Sequence, residues 1–98
     1  MVINKSVNGN EAVFALEGRL DTTTAPELDQ ALKEVLDSVN TLTFDLGKLD
    51  YISSAGLRVL LSAQKTMNQK GSMKVTKVGD IIMEIFEVTG FSDILTIE

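Results

Sequence analysis

Apolar positions along this 98-residue chain change period several times, and the changes mark out its elements. Val2 to Val7 and Glu11 to Leu16 are short apolar-rich runs separated by Asn8, Gly9 and Asn10. That composition suits a tight hairpin loop needing positive φ, so two antiparallel strands are predicted. Gly18, Arg19, Leu20 and Asp21 then leave the second strand. Thr24-Ala25-Pro26-Glu27 has capping-box spacing, with Pro just inside a helix start. Along the helix so begun, Leu28, Ala31, Leu32, Val35 and Val39 recur every three or four residues, opposite Asp29, Lys33 and Asp37. Thr41 to Leu46 switches to strict alternation, with Leu42, Phe44 and Leu46 on one side, and predicts a third strand.

The helical period returns from Ser54 to about Gln69, where Leu57, Leu60, Leu61 and Met67 form a stripe widened by Val59 and Ala63, and Gly71 is placed to end it. Met73 to Val78 predicts a fourth strand. Gly79-Asp80 opens a third helix carrying Ile81, Ile82, Ile85, Phe86 and Val88, with Gly90 as its stop, and Ile94 to Ile97 predicts a last short strand. The order ββαβαβαβ implies an α/β fold, with one mixed, mostly parallel sheet, an initial antiparallel hairpin, and crossover helices packed on the sheet. Nothing in residues 1-98 marks a linker, a low-complexity tract or a repeat, and the length suits one domain.

Composition narrows the chemistry. Fourteen acidic against nine basic residues give a net charge of -5 with no Lys/Arg cluster, which argues against direct nucleic-acid binding. There is no cysteine and no histidine. Disulfides, thiolate metal sites and the usual neutral-pH general base are absent together, and neither a catalytic residue nor a metal or other cofactor of the chain's own is expected. The apolar runs are too short to span a bilayer and the start lacks secretory character, so a cytoplasmic protein with no membrane partner is the expectation.

The most informative stretch is Asp50-Tyr51-Ile52-Ser53-Ser54-Ala55-Gly56-Leu57, where a strand gives way to a helix. A helix N-terminus presents unpaired N–H groups and the positive end of the peptide dipoles, so it tolerates an anion, and Ala55 and Gly56 leave room for one. Ser53 or Ser54 is equally readable as a plain N-cap, and Gly56 as a residue that permits close packing. The stretch has no Gly-x-Ser-x-Gly elbow and no partner histidine, and the chain has no phosphate-binding glycine loop.

Tyr51-Ile52-Ser53-Ser54-Ala55-Gly56-Leu57-Arg58-Val59-Leu60-Leu61 resembles the signature of the STAS domain family, specifically the bacterial anti-sigma factor antagonists. Gly18-Arg19-Leu20-Asp21 followed by Ala25 resembles that family's loop before the first helix. Leu42 to Leu46 and Val88-Thr89-Gly90-Phe91 also fit its pattern, so the resemblance covers essentially the whole chain. It implies a STAS-like fold and a partner switch. The unmodified domain would bind an anti-sigma factor that is also a serine kinase and so free a sigma factor. Phosphorylation of Ser54 would end the binding, and a serine phosphatase would restore it. ATP and magnesium would belong to the kinase.

Several relatives carry an acidic residue before the acceptor and a hydroxyl residue after it; here those places hold Ser53 and Ala55. The resemblance also sets the loop of Asp21, Thr22 and Thr23 beside the acceptor, where Asp21 would orient the Ser54 hydroxyl or meet the partner; capping of its own turn is the alternative. Arg58, between apolar neighbours, is a candidate surface contact or a solvated charge. A STAS scaffold or binding subunit of a transporter or signalling assembly, never phosphorylated, is the competing function.

Overall fold

In the computed structural model, which describes residues 1–98, β1 (Val2–Asn8) and β2 (Glu11–Leu20) form an antiparallel hairpin. It turns at Gly9, whose φ of 64° lies in the left-handed region that glycine enters without steric cost. α1 (Ala25–Lys33) leads to β3 (Thr41–Ile52), α2 (Ser54–Lys70) to β4 (Ser72–Thr76), and α3 (Asp80–Thr89) to a 3-10 turn at Phe91–Asp93. The sheet runs β1-β2-β3-β4, with β2, β3 and β4 mutually parallel.

That monotonic order dictates the layering. Right-handed crossovers that always step the same way across a sheet deposit their helices on the same face. Ala12, Phe14, Leu16, Leu42, Phe44, Leu46, Met73 and Val75 project from that face, each at most 3% exposed, into one cluster with Leu28, Leu32, Leu60, Met67, Ile82 and Phe86 of the helices. Phe14 and Phe44, paired across β2 and β3, pack with ring centroids 5.9 Å apart. The opposite face carries Val13, Thr43, Asp45 and Lys74 and is left to solvent. No helix is long and apolar enough to cross a membrane.

Several elements differ from their predicted extents. β2 continues to Leu20 and β3 to Ile52, because two register shifts, between Ala15 and Glu17 and between Gly18 and Arg19, let β3 carry extra residues while the pairing continues. The buried residues at the far end of β3 are therefore Leu46, Leu49 and Ile52, three apart rather than two, which hides the strand from an alternation test. α1 stops at Lys33, and Val35 and Val39 are buried from the turns that follow. The last predicted strand is a single parallel bridge between Ile97 and Val75, where Val75 N–H donates to Thr96 O at 2.8 Å and Glu98 N–H to Val75 O at 2.9 Å. The 3-10 turn occupies Phe91–Asp93 immediately before it.

Candidate functional site

Parallel pairing brings the C-terminal ends of β2, β3 and β4 to one end of the sheet, the usual location of functional loops in such folds. Leu20 and Ile52 are the last pair in register, and Ser53 N–H still donates to Leu20 O at 2.9 Å. The Asp21 turn and the Ser53-Ser54 junction consequently leave the sheet side by side.

The two serines part company there. Ser53 is extended (φ -96°, ψ 175°) and is the N-cap: its Oγ accepts a long hydrogen bond from Gly56 N–H at 3.4 Å, and its carbonyl accepts from Leu57 N–H at 2.9 Å. Ser54 is already the first helical residue, and it is exposed. Its hydroxyl is not drawn into the cap, and the N–H groups of Ser54 and Ala55 precede the first possible intrahelical acceptor.

Of the two readings of Gly56, close packing is the one its surroundings fit. It is buried, and a Cβ there would lie 2.6 Å from Leu20 Cγ and 2.9 Å from Ile52 Cγ1. The missing side chain lets α2 sit down on the strand ends; it does not open room for an anion.

Asp21 organises its own turn. Its Oδ1 accepts from the N–H groups of Thr23 (3.0 Å) and Thr24 (3.1 Å) and from the Thr23 hydroxyl (2.8 Å), while its carbonyl accepts from Ala25 N–H at 2.8 Å. These donors, the Thr23 hydroxyl foremost, hold its pKa below the usual 3.8 against partial desolvation. None of these bonds reaches Ser54, so the turn-capping alternative describes what Asp21 does here. The capping box is not formed either. Thr24 Oγ1 turns back to accept from Asp21 N–H and donate to Arg19 O, both at 2.8 Å, and makes no cap bond to the helix.

A cleft of about 360 Å³ runs between α1 and α2, lined by Thr22, Ala25, Pro26, Asp29, Ala55, Arg58, Val59 and Ser62. It gathers Thr22, Ala55 and Arg58 of the expected site residues, while Thr23 stays tied to Asp21 outside it. Arg58 is exposed, belongs to none of the chain's ion pairs, and follows Ser54 by one helical turn on the same flank. Arg19 and Tyr51, which the sequence places only within the two motifs, also meet here. Arg19 sits 4.3 Å from the centre of the Tyr51 ring, its neighbour across β2 and β3, and 3.7 Å from Asp21 Oδ2. Only the shifted register brings these residues together. A polar hollow of about 330 Å³ lies on the bare sheet face, where Lys77 pairs with Asp45 and Asn4 donates to Glu17.

The architecture and the surface around Ser54 define a two-layer α/β module of the STAS type. A model of that family, described as "Mlab, STAS domain", matches residues 3–96, and the chain belongs to the STAS domain family. The anti-sigma-B factor antagonist of Listeria monocytogenes serovar 1/2a is 36% identical over 84 residues, 83% of this chain and 73% of the relative. The crystal structure of an anti-sigma factor antagonist from Mycobacterium paratuberculosis aligns with a TM-score of 0.88 at 24% identity, covering 98% of this chain and 83% of that one. The anti-sigma factor antagonist SpoIIAA aligns in its unphosphorylated form with a TM-score of 0.79 at 14% identity, over 99% and 87% of the two chains. Bacillus SpoIIAA in the phosphorylated form gives 0.78 at 15%, over 99% and 91%.

Proposed function

We propose that this protein is an anti-sigma factor antagonist working as a phosphorylation-controlled partner switch, with Ser54 as the modified residue. Unmodified, it binds an anti-sigma factor with serine kinase activity and so frees a sigma factor; phosphorylation of Ser54 ends the binding, and a serine phosphatase restores it. The chain is substrate and ligand in this cycle rather than catalyst. The observation that carries the reading is the division of labour between the serines: Ser53 caps α2, leaving the Ser54 hydroxyl exposed at the first helical position.

A phosphate there adds about 1.5 to 2 negative charges and three acceptor oxygens. It meets the free N–H groups of the first turn, the positive end of the helix dipole, and the unpaired Arg58 one turn on, all of which favour it within the domain. Against a partner closing over the same surface, the added volume and charge are unfavourable. Phosphorylation therefore releases the partner by local conflict, with the fold retained. The near-equal alignment of unphosphorylated and phosphorylated SpoIIAA supports a modification of this kind that leaves the domain in place.

The test begins by titrating each anti-sigma factor of the source organism onto the purified chain by calorimetry. The one that binds is then incubated with the chain and Mg-ATP, followed by mass spectrometry. One phosphate on the wild type and none on Ser54→Ala is the expected result. Incorporation that survives in Ser54→Ala overturns the site assignment, and tight binding with no phosphorylation at all favours a constitutive scaffold instead.

A further inference from the structure

α3 divides into three longitudinal strips. Ile82 and Phe86 turn into the core at 1% and 0% exposure, whereas Ile81 and Val88 are 67% and 79% exposed. With about 3.6 residues per turn, Ile81, partly buried Ile85 and Val88 form an apolar row along the outside, and Asp80, Glu84 and Glu87 form an acidic row directly beside it.

Ile85 packs its inner side against the core, but every other member of the two outer rows is exposed. The apolar row leaves two large side chains in water. Like charges three and four residues apart repel. None of these acids belongs to an ion pair of the chain, and the last turn has no basic residue. Asp80 gains from the helix N-terminus, but Glu87 stands near the negative end of the dipole. Together the rows are the complement of an apolar segment flanked by Lys or Arg. A second copy of this chain is a poor occupant, because antiparallel two-fold packing would set acidic row against acidic row, and in either orientation both molecules carry a net charge of -5 and supply no basic flank on this face.

The surface is continuous with the Ser54 end of the molecule. α3 starts where β4 ends, at the same edge of the sheet, and a cleft of about 450 Å³ lined by Leu49, Asp50 and Gly79 to Ile82 links its first turn to the stretch of β3 leading into Ser53. We infer that the outer face of α3 is a second contact surface for the anti-sigma factor, taking an apolar segment of that protein flanked by basic side chains. This rests on the partner reading above and deepens it. The Ser54 end is the part of the contact that phosphorylation changes, and α3 supplies a constant part whose charges select the partner and speed encounter.

The test measures affinity for the anti-sigma factor found by the titration above, using wild type, Ile81→Ser/Val88→Ser and Glu84→Lys/Glu87→Lys, with thermal melts of each chain alone. Each double variant is expected to weaken binding by about tenfold or more. Glu84→Lys/Glu87→Lys should do so without lowering the melting temperature, since it makes the pair of Asp80 with position 84 attractive and places a cation near the C-terminal end of the helix dipole. Raising salt should weaken the wild type more than this charge-reversed variant. Wild-type binding that both variants retain in full overturns the inference while the switch stands. A wild type that binds no anti-sigma factor removes both. A wild-type dimer in sedimentation that Ile81→Ser/Val88→Ser dissociates overturns the inference in favour of a second copy.

Discussion

Ser53 closes the sheet end of β3 in an extended conformation while Ser54 has already entered α2, so two adjacent hydroxyls have different physical consequences. Removing the cap should cost about 1 kcal/mol, toward the weaker end for a 3.4 Å bond. Ser54→Ala, at an exposed position, should stay within about 0.5 kcal/mol of wild type. Urea unfolding of Ser53→Ala and Ser54→Ala checks this, and equal losses would refute the assignment of the cap. Asp21 makes a second residue-scale prediction. Its folded pKa lies below the ordinary 3.8, so the stability that its carboxylate contributes is fully present above that value and is lost as pH falls through the lowered one. The stability gap between wild type and Asp21→Asn should therefore be constant from about pH 5 to 8 and shrink under acid; a gap that widens below about pH 4 would contradict it. Residue identity alone did not decide which serine caps, because both carry the same chemistry and the answer depends on where the backbone turns from extended to helical. Nor did it reveal that the Asp21 carboxylate is taken up by Thr23 and Thr24.

α2 is held at its first turn by an absence. At Gly56 an added Cβ would press on Leu20 and Ile52 at 2.6 and 2.9 Å, and overpacking of that kind costs roughly 1–3 kcal/mol. Greater helix propensity returns at most about 1 kcal/mol. Gly56→Ala should thus lower the urea midpoint, and an unchanged or raised midpoint would show that α2 can lift off the strands freely. Among the elements, the helices and the hairpin were legible from periodicity and turn chemistry, as with the Leu42-Phe44-Leu46 alternation and the glycine at the hairpin. The far half of β3 was not, because its register shifts move the buried positions to Leu46, Leu49 and Ile52. The sidedness of α3 was also hidden. Its apolar residues cover more than half a turn, and only the packing shows that Ile82 and Phe86 are core while Ile81 and Val88 face water.

At the scale of the whole molecule, the strand order accounts for the site. Consecutive parallel strands stepping one way bring the Asp21 turn, the start of α2 and the start of α3 to one edge, with helices on one face and the other face bare. One surface thereby holds an exposed serine, an unpaired arginine and a cleft on either side of the β3 end. The function proposed for that surface comes from the resemblance to STAS domains; charge, length and composition alone left it open. Phosphate on Ser54 is proposed to end partner binding without disturbing the fold. The direct measurement is the affinity of one anti-sigma factor for the unmodified chain and for the chain phosphorylated stoichiometrically at Ser54, with the circular dichroism of both. A loss of affinity of a hundredfold or more, about 2.7 kcal/mol, with superimposable spectra is predicted. Equal affinities, or a loss of affinity accompanied by loss of helix, would rule out release by local conflict at Ser54.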